Sequence, residues 1–208
     1  RPAGLYRARD PELARRVRDQ ISSDPGSRVR WWIGDARSLL ARKQDRFDLI
    51  TLGVGGALGA AAGGVHALDE DFLHTSEAYG LYLKRLSDRG VLAITRWLAG
   101  PPREPIRVIL TASEALRRSR AQSASRGLFV ARSWATVTVL VKPSGFSEAE
   151  VARLRDWASA REFDVDWSPE LQDAPRAQFH FLEDPILFRA AQAGVGGARS
   201  SAEFASRY

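Results

Sequence analysis

Phe47-Asp48-Leu49-Ile50-Thr51-Leu52, followed at once by Gly53-Val54-Gly55-Gly56, is the stretch that decides the fold class. An apolar run broken only by Asp48 and Thr51 suits a strand covered on both faces of a parallel sheet. The glycines continue through Gly59 to Gly63-Gly64 and read as a loop. Downstream, Thr75-Ser76-Glu77 starts a helix in which Tyr79, Tyr82, Leu83 and Leu86 share one face. Asp88-Arg89-Gly90 reads as a turn, and Val91 to Trp97 as a second buried strand. Upstream, Val29 to Ile33 is β-branched and aromatic, hence a strand, and Asp35 is placed to cap a helix over residues 36–42. Farther back, Asp10-Pro11-Glu12 opens a helix to about Ile21, carried by Leu13 and Val17. Alternating strands and helices argue for an α/β fold with a mostly parallel sheet and right-handed crossovers.

Beyond the proline-rich Pro101 to Pro105, the positions Ile106, Ile109, Leu110, Ser113 and Leu116 define an amphipathic helix. Gly127 to Arg132 and Ala135 to Val141 read as two strands with a tight connection, an antiparallel pair at one edge. Ser147 and Glu150 form a capping box for a helix with Val151, Leu154 and Trp157 on its inner side. A short strand near Asp164 to Trp167 and helices near 185–193 and 202–208 complete a helical C-terminal extension. The domain boundaries expected from this pattern are 1–145 and 146–208.

With 208 residues, 44% hydrophobic and 27% charged, the chain has the make-up of one globular domain with an appendage. No apolar run reaches the roughly 18–20 residues a membrane helix requires. Cysteine is absent, which excludes disulfides, thiolate metal sites and cysteine nucleophiles. The chain opens Arg1-Pro2-Ala3 and contains no methionine, so it reads as a fragment of a longer protein. The net charge of +6 is carried by arginine, since Lys43, Lys84 and Lys142 are the only lysines. These arginines are interleaved with acids, without a compact basic run or aromatic series, which argues for a solvated surface and against nucleic acid.

Gly34-Asp35-Ala36-Arg37, Phe47-Asp48-Leu49-Ile50, Leu73-His74-Thr75-Ser76-Glu77-Ala78-Tyr79 and Gly90-Val91-Leu92 come in one order with consistent gaps. That ordered set resembles the spermidine synthase-like branch of class I S-adenosylmethionine-dependent methyltransferases. It looks closest to bacterial members fused to membrane-spanning segments, which show similar Thr95-Arg96-Trp97 and Arg132-Ser133-Trp134-Ala135-Thr136 stretches. The resemblance is specific from about Val29 to Lys142. It implies a Rossmann-like sheet that binds S-adenosylmethionine, or its decarboxylated form, at the carboxyl ends of the strands. It also implies that the first strand and its glycine-rich turn lie upstream of Arg1, and that the parent protein is membrane-embedded with this part cytoplasmic. A small-molecule acceptor and a homodimer fit the same picture.

By that resemblance Asp35 accepts a hydrogen bond from the adenine amino group and the Ala36 N–H meets a ring nitrogen. Gly53 is the third cofactor-side residue, while Glu70, Arg96 and Trp97 are the substrate-side residues. Glu70 belongs to the acidic run Asp69-Glu70-Asp71, and Arg96 and Trp97 end a central strand with a guanidinium for an anion and an indole for a flat ligand. Two departures weaken the chemistry: Ala8 stands where the family holds the ribose with an acid, and Gly53 where its aspartate takes a proton from the attacking amine. Aminopropyl transfer is thereby disfavoured and no catalytic residue is assigned. His66 and His74 lack the spacing of a metal pair, and no metal is expected. The expected function is a transferase-type domain, inactive as this fragment. The alternative is a non-catalytic interaction or regulatory module that keeps the fold.

Overall fold

The computed structural model describes residues 3–6, 30–33, 36–54, 72–119 and 124–207. The chain divides into two compact units, Arg1–Gln44 and Asp45–Tyr208. In the first, β1 (Ala3–Tyr6) pairs in parallel with β2 (Arg30–Ile33), and α1 (Ala36–Arg42) follows with Leu40 buried. The helix expected over residues 11–21 lies outside the described residues, as do Ala8, Asp35, His66 and the acidic run around Glu70.

The second unit holds β3 (Phe47–Leu52), α2 (Ser76–Lys84), β4 (Leu86–Trp97), α3 (Arg103–Arg118), β5 (Leu128–Arg132), β6 (Thr136–Val141), α4 (Glu148–Ser159), β7 (Asp164–Trp167), α5 (Ile186–Val195) and α6 (Ala198–Ala205). Its strands form one sheet in the order β3-β4-β6-β5-β7. Only β3 and β4 pair in parallel; β4–β6, β6–β5 and β5–β7 are antiparallel. The expectation of a mostly parallel sheet is therefore corrected: the fold is α/β with a mixed, mostly antiparallel sheet. The β5–β6 pair is antiparallel as expected; the difference is that β6 lies between β4 and β5 and that β7 pairs antiparallel with β5. Ser133 N donates to Thr136 O at 2.8 Å, and Ser133 Oγ accepts from Ala135 N and Thr136 N at 3.2 and 3.1 Å. Such a tight turn permits only an antiparallel neighbour, whereas the helical crossover from β4 to β5 lets those two strands run the same way with β6 between them. The antiparallel pair is thus internal on one side, and the edge belongs to β7.

Two further expectations change. Asp88-Arg89-Gly90 is a bulge inside β4, where the register passes from Phe47↔Leu86 to Leu49↔Val91. A Cβ on Gly90 would lie 2.7 Å from Phe47 O and 2.9 Å from both Leu86 Cβ and Ser87 N, so only glycine fits. Across the same irregularity Ser87 Oγ donates to Asp48 at 2.6 Å. And β3, read as covered on both faces, is an edge strand of this sheet with Leu49 60% exposed.

Side chains alternate between the faces of the sheet. Phe129, Phe146 and Val151 form one core, with Val91, Ala131, Leu140, Leu154 and Val165 packed against it under α4. Trp157 departs from that stripe. Val151, Leu154 and Ala158 follow the i, i+3, i+7 spacing, which leaves Trp157 half-exposed over Phe163, with the Arg161 guanidinium 4.7 Å from its ring centroid. On the opposite pleat Leu92, Ile94, Val137 and Val139 are buried beside α3, which contacts β4 and β6 and packs on α2 and α5. The helices α3 and α5 approach so closely that a Cβ on Gly194 would fall 2.5 Å from Ser113 Oγ, and Arg117 donates to the Gly194 carbonyl. No described helix is long and apolar enough to cross a membrane.

Candidate functional site

Because β3, β4 and β5 run in the same direction, Gly53, Trp97 and Arg132 mark one end of the sheet. Gly53 follows β3 directly, is exposed, and has nothing among the described residues within 4 Å of the point its Cβ would occupy. Arg96 and Trp97, expected to face the crevice together, are sent to opposite faces by the pleat. Arg96 is buried on the side of Leu92 and Ile94, whereas Trp97 is 38% exposed. Trp97 registers opposite Thr136, so the β5–β6 turn with Trp134, 78% exposed, belongs to the same end. Of the first unit's candidates, Ala36 opens the seven-residue α1. Asp35 and Glu70 lie outside the described residues.

His74 has a local partner. Its Nδ1 lies 2.7 Å from Tyr79 Oη, with the rings edge to face at 5.8 Å, and Thr75 caps α2 by accepting from Ala78 N. Among the described residues no group of three or more His, Asp or Glu side chains is placed to hold a metal.

Sequence reasoning missed the most polar assembly at this end. Arg132, 1% exposed, donates from Nη1 to His180 O at 2.6 Å and lies 3.1 Å from Asp164 Oδ2. Its Nε sits between the two oxygens of Asp166, 3.1 Å from Oδ1 and 3.0 Å from Oδ2. Asp164 also accepts from Phe179 N and His180 N at 2.7 and 2.9 Å, with His180 Nδ1 at 3.3 Å. The signal was present as Asp164-x-Asp166, two acids at one parity of a strand beside an apolar strand that ends in Arg132.

One buried cation facing two carboxylates leaves an excess negative charge, and a proton relieves it. The proton goes to Asp166, whose only donor among the described residues is Arg132. Burial pushes its carboxyl up to about 6, against the opposing charge and hydrogen bond of Arg132, and Asp164 adds a further upward push. The folded chain therefore holds this proton more tightly than the unfolded one, whose carboxyl titrates near 3.8. The resulting stabilisation is complete below about pH 4 and is lost as pH rises through about 6. Urea unfolding at several pH values is expected to show a fall across that window of up to about 3 kcal/mol. D166N, which mimics the neutral acid, should remove this part of the profile; identical profiles for the two proteins would contradict the assignment. With Asp166 2% exposed, the acid is out of reach of a substrate; together Arg132, Asp164 and Asp166 tie β5 to β7 and to Phe179 and His180.

A scan of protein-family models finds none that matches the chain, and a search of curated proteins finds no relative.

Proposed function

We propose that the chain is the later portion of a spermidine synthase-like, S-adenosylmethionine-dependent transferase domain that takes the nucleoside at the carboxyl ends of β3 and β4. The observation that carries this reading is the parallel β3–β4 pair, joined through α2, whose carboxyl end leads into Gly53, with no described residue where a side chain would stand. Open α/β sheets take their ligands at such ends. Among the described residues β3 ends this sheet, the side on which the resemblance calls for one more strand, and the reversal of β6 between β4 and β5 keeps three strands pointing their carboxyl ends the same way. When bound, the sulfonium nucleoside would supply an activated carbon for transfer to a small-molecule acceptor. The chain's own part is to orient that nucleoside, Gly53 by close backbone approach and Trp97 by an exposed indole. The membrane-embedded parent belongs to this reading.

Calorimetric titration of S-adenosylmethionine into a chain extended upstream of Arg1 tests it. Saturable binding is expected, with Asp35→Ala weakening it about tenfold or more, as for one hydrogen bond to a charged acceptor. Absence of heat from the correctly folded extended chain overturns the cofactor assignment.

One observation favours the alternative of a non-catalytic module. Gly53 offers no proton acceptor, and the carboxylates of Asp164 and Asp166 at this end are buried and committed to Arg132. Under that reading Asp35→Ala leaves the activity of the parent protein unchanged.

A further inference from the structure

The opposite end of the sheet carries a cavity of about 440 Å³ whose lining includes Arg89, Arg126, Lys142, Ser144, Ser147 and Glu150. It is assembled from the β4 bulge, the segment before β5 and the turn between β6 and α4. Lys142 N donates to Gly127 O at 2.9 Å, and Phe146 N donates to Arg126 O at 2.8 Å. Its charges are not balanced. Lys142, buried, donates from Nζ to both oxygens of Glu150 at 2.6 Å, and Glu150 also accepts from Ser147 N at 2.9 Å. These bonds, the one from Lys142 foremost, hold the Glu150 carboxyl down to about 2, so it stays charged and cancels the lysine. Arg89 and Arg126 remain. Neither guanidinium has an ion pair or hydrogen bond among the described residues. Two uncommitted guanidinium groups thus border a polar cavity beside the capped amino end of α4.

We propose that this cavity is a binding site for a phosphate-class dianion, either the free ion or the phosphoryl group of a small polar monoester. Guanidinium forks match tetrahedral oxyanions in geometry and remain charged at every physiological pH. The Ser144 hydroxyl supplies a further donor, and the volume exceeds that of the ion alone, which leaves room for a sugar-sized carrier. The site is distinct from the carboxyl-end crevice and does not depend on the transferase reading.

The experiment titrates inorganic phosphate, and separately glucose 6-phosphate, into the protein at ionic strength held constant with potassium chloride. Saturable binding is expected, at least about tenfold weaker in R89Q/R126Q, as befits the loss of charge-assisted hydrogen bonds. The single variants serve if the double variant does not fold. Tighter binding of glucose 6-phosphate identifies a monoester site, and equal or weaker binding identifies the free ion. No saturation by about 10 mM of either probe, the behaviour of screened surface charge, overturns the proposal, as does equal binding by wild type and variants.

Discussion

Arg132→Leu is expected to destabilise the second unit by about 3–5 kcal/mol, the range for removing one partner of a buried ion pair. The leucine fills the space but leaves Asp164 and Asp166 facing each other in the interior, 4% and 2% exposed, with no cation between them. It also removes the bond to the His180 carbonyl. Protonation of one carboxyl absorbs part of the loss, so the effect should be smaller at pH 5 than at pH 8. Urea unfolding followed by tryptophan fluorescence measures it, since Trp167 sits at the end of β7 against Phe188, with ring centroids 5.6 Å apart. Hydrogen exchange gives a local reading: the amides of Phe179 and His180, both bonded to Asp164, should exchange faster in the variant. The triple variant R132L/D164N/D166N should recover a substantial part of the loss, because the damage comes from stranded charge. A loss under about 1 kcal/mol would place the cluster among solvated surface pairs and defeat the account.

Gly90→Ala is the second large effect, expected to cost about 2–4 kcal/mol although it adds a single methyl group. The methyl would meet the Phe47 carbonyl oxygen at 2.7 Å and the Ser87 nitrogen at 2.9 Å. Both are backbone atoms fixed by the β3–β4 pairing, so no rotamer change relieves the contact. The expected consequence is a shift of the bulge and weaker pairing of the only parallel strands in this sheet. Gly53→Ala is the control. With nothing among the described residues within 4 Å of its Cβ, it should change stability by less than about 1 kcal/mol. Comparable losses at both glycines would show that the close approach at the bulge is not what demands glycine at 90. Denaturant midpoints for the two variants decide the matter.

Elements whose signal is local were legible in the sequence. Ser147 and Glu150 form the reciprocal cap expected from their spacing, and Thr75 caps α2. β3, β5, β6 and β7 fall where the apolar runs place them, and α3 buries Ile106, Ile109, Ser113 and Leu116 as the periodicity requires. What was not legible depends on which strand lies beside which. The tight Ser133–Ala135 connection reveals that β5 and β6 are antiparallel, but not that β6 slides in next to β4. A bulge and a turn both ask for Asp88-Arg89-Gly90, and only pairing with Phe47 selects the bulge. The carboxyl-end candidates were legible as a place and not as a constellation. Adjacent residues on a strand cannot share a face, so Arg96 and Trp97 part company. The acids that do gather at this end come from β7, where Asp164 and Asp166 share one parity but only the pairing with β5 shows that they meet Arg132.

The meeting of Ser113 and Gly194 has a bearing on how such a chain changes over generations. At the distance separating α3 from α5, bulk at position 194 meets the Ser113 hydroxyl first, so admitting it requires that hydroxyl to leave its bond to Ile109 O or Ser113 to give way to a smaller residue. The two sites, 81 positions apart in a chain of 208, are therefore coupled in what each can accept.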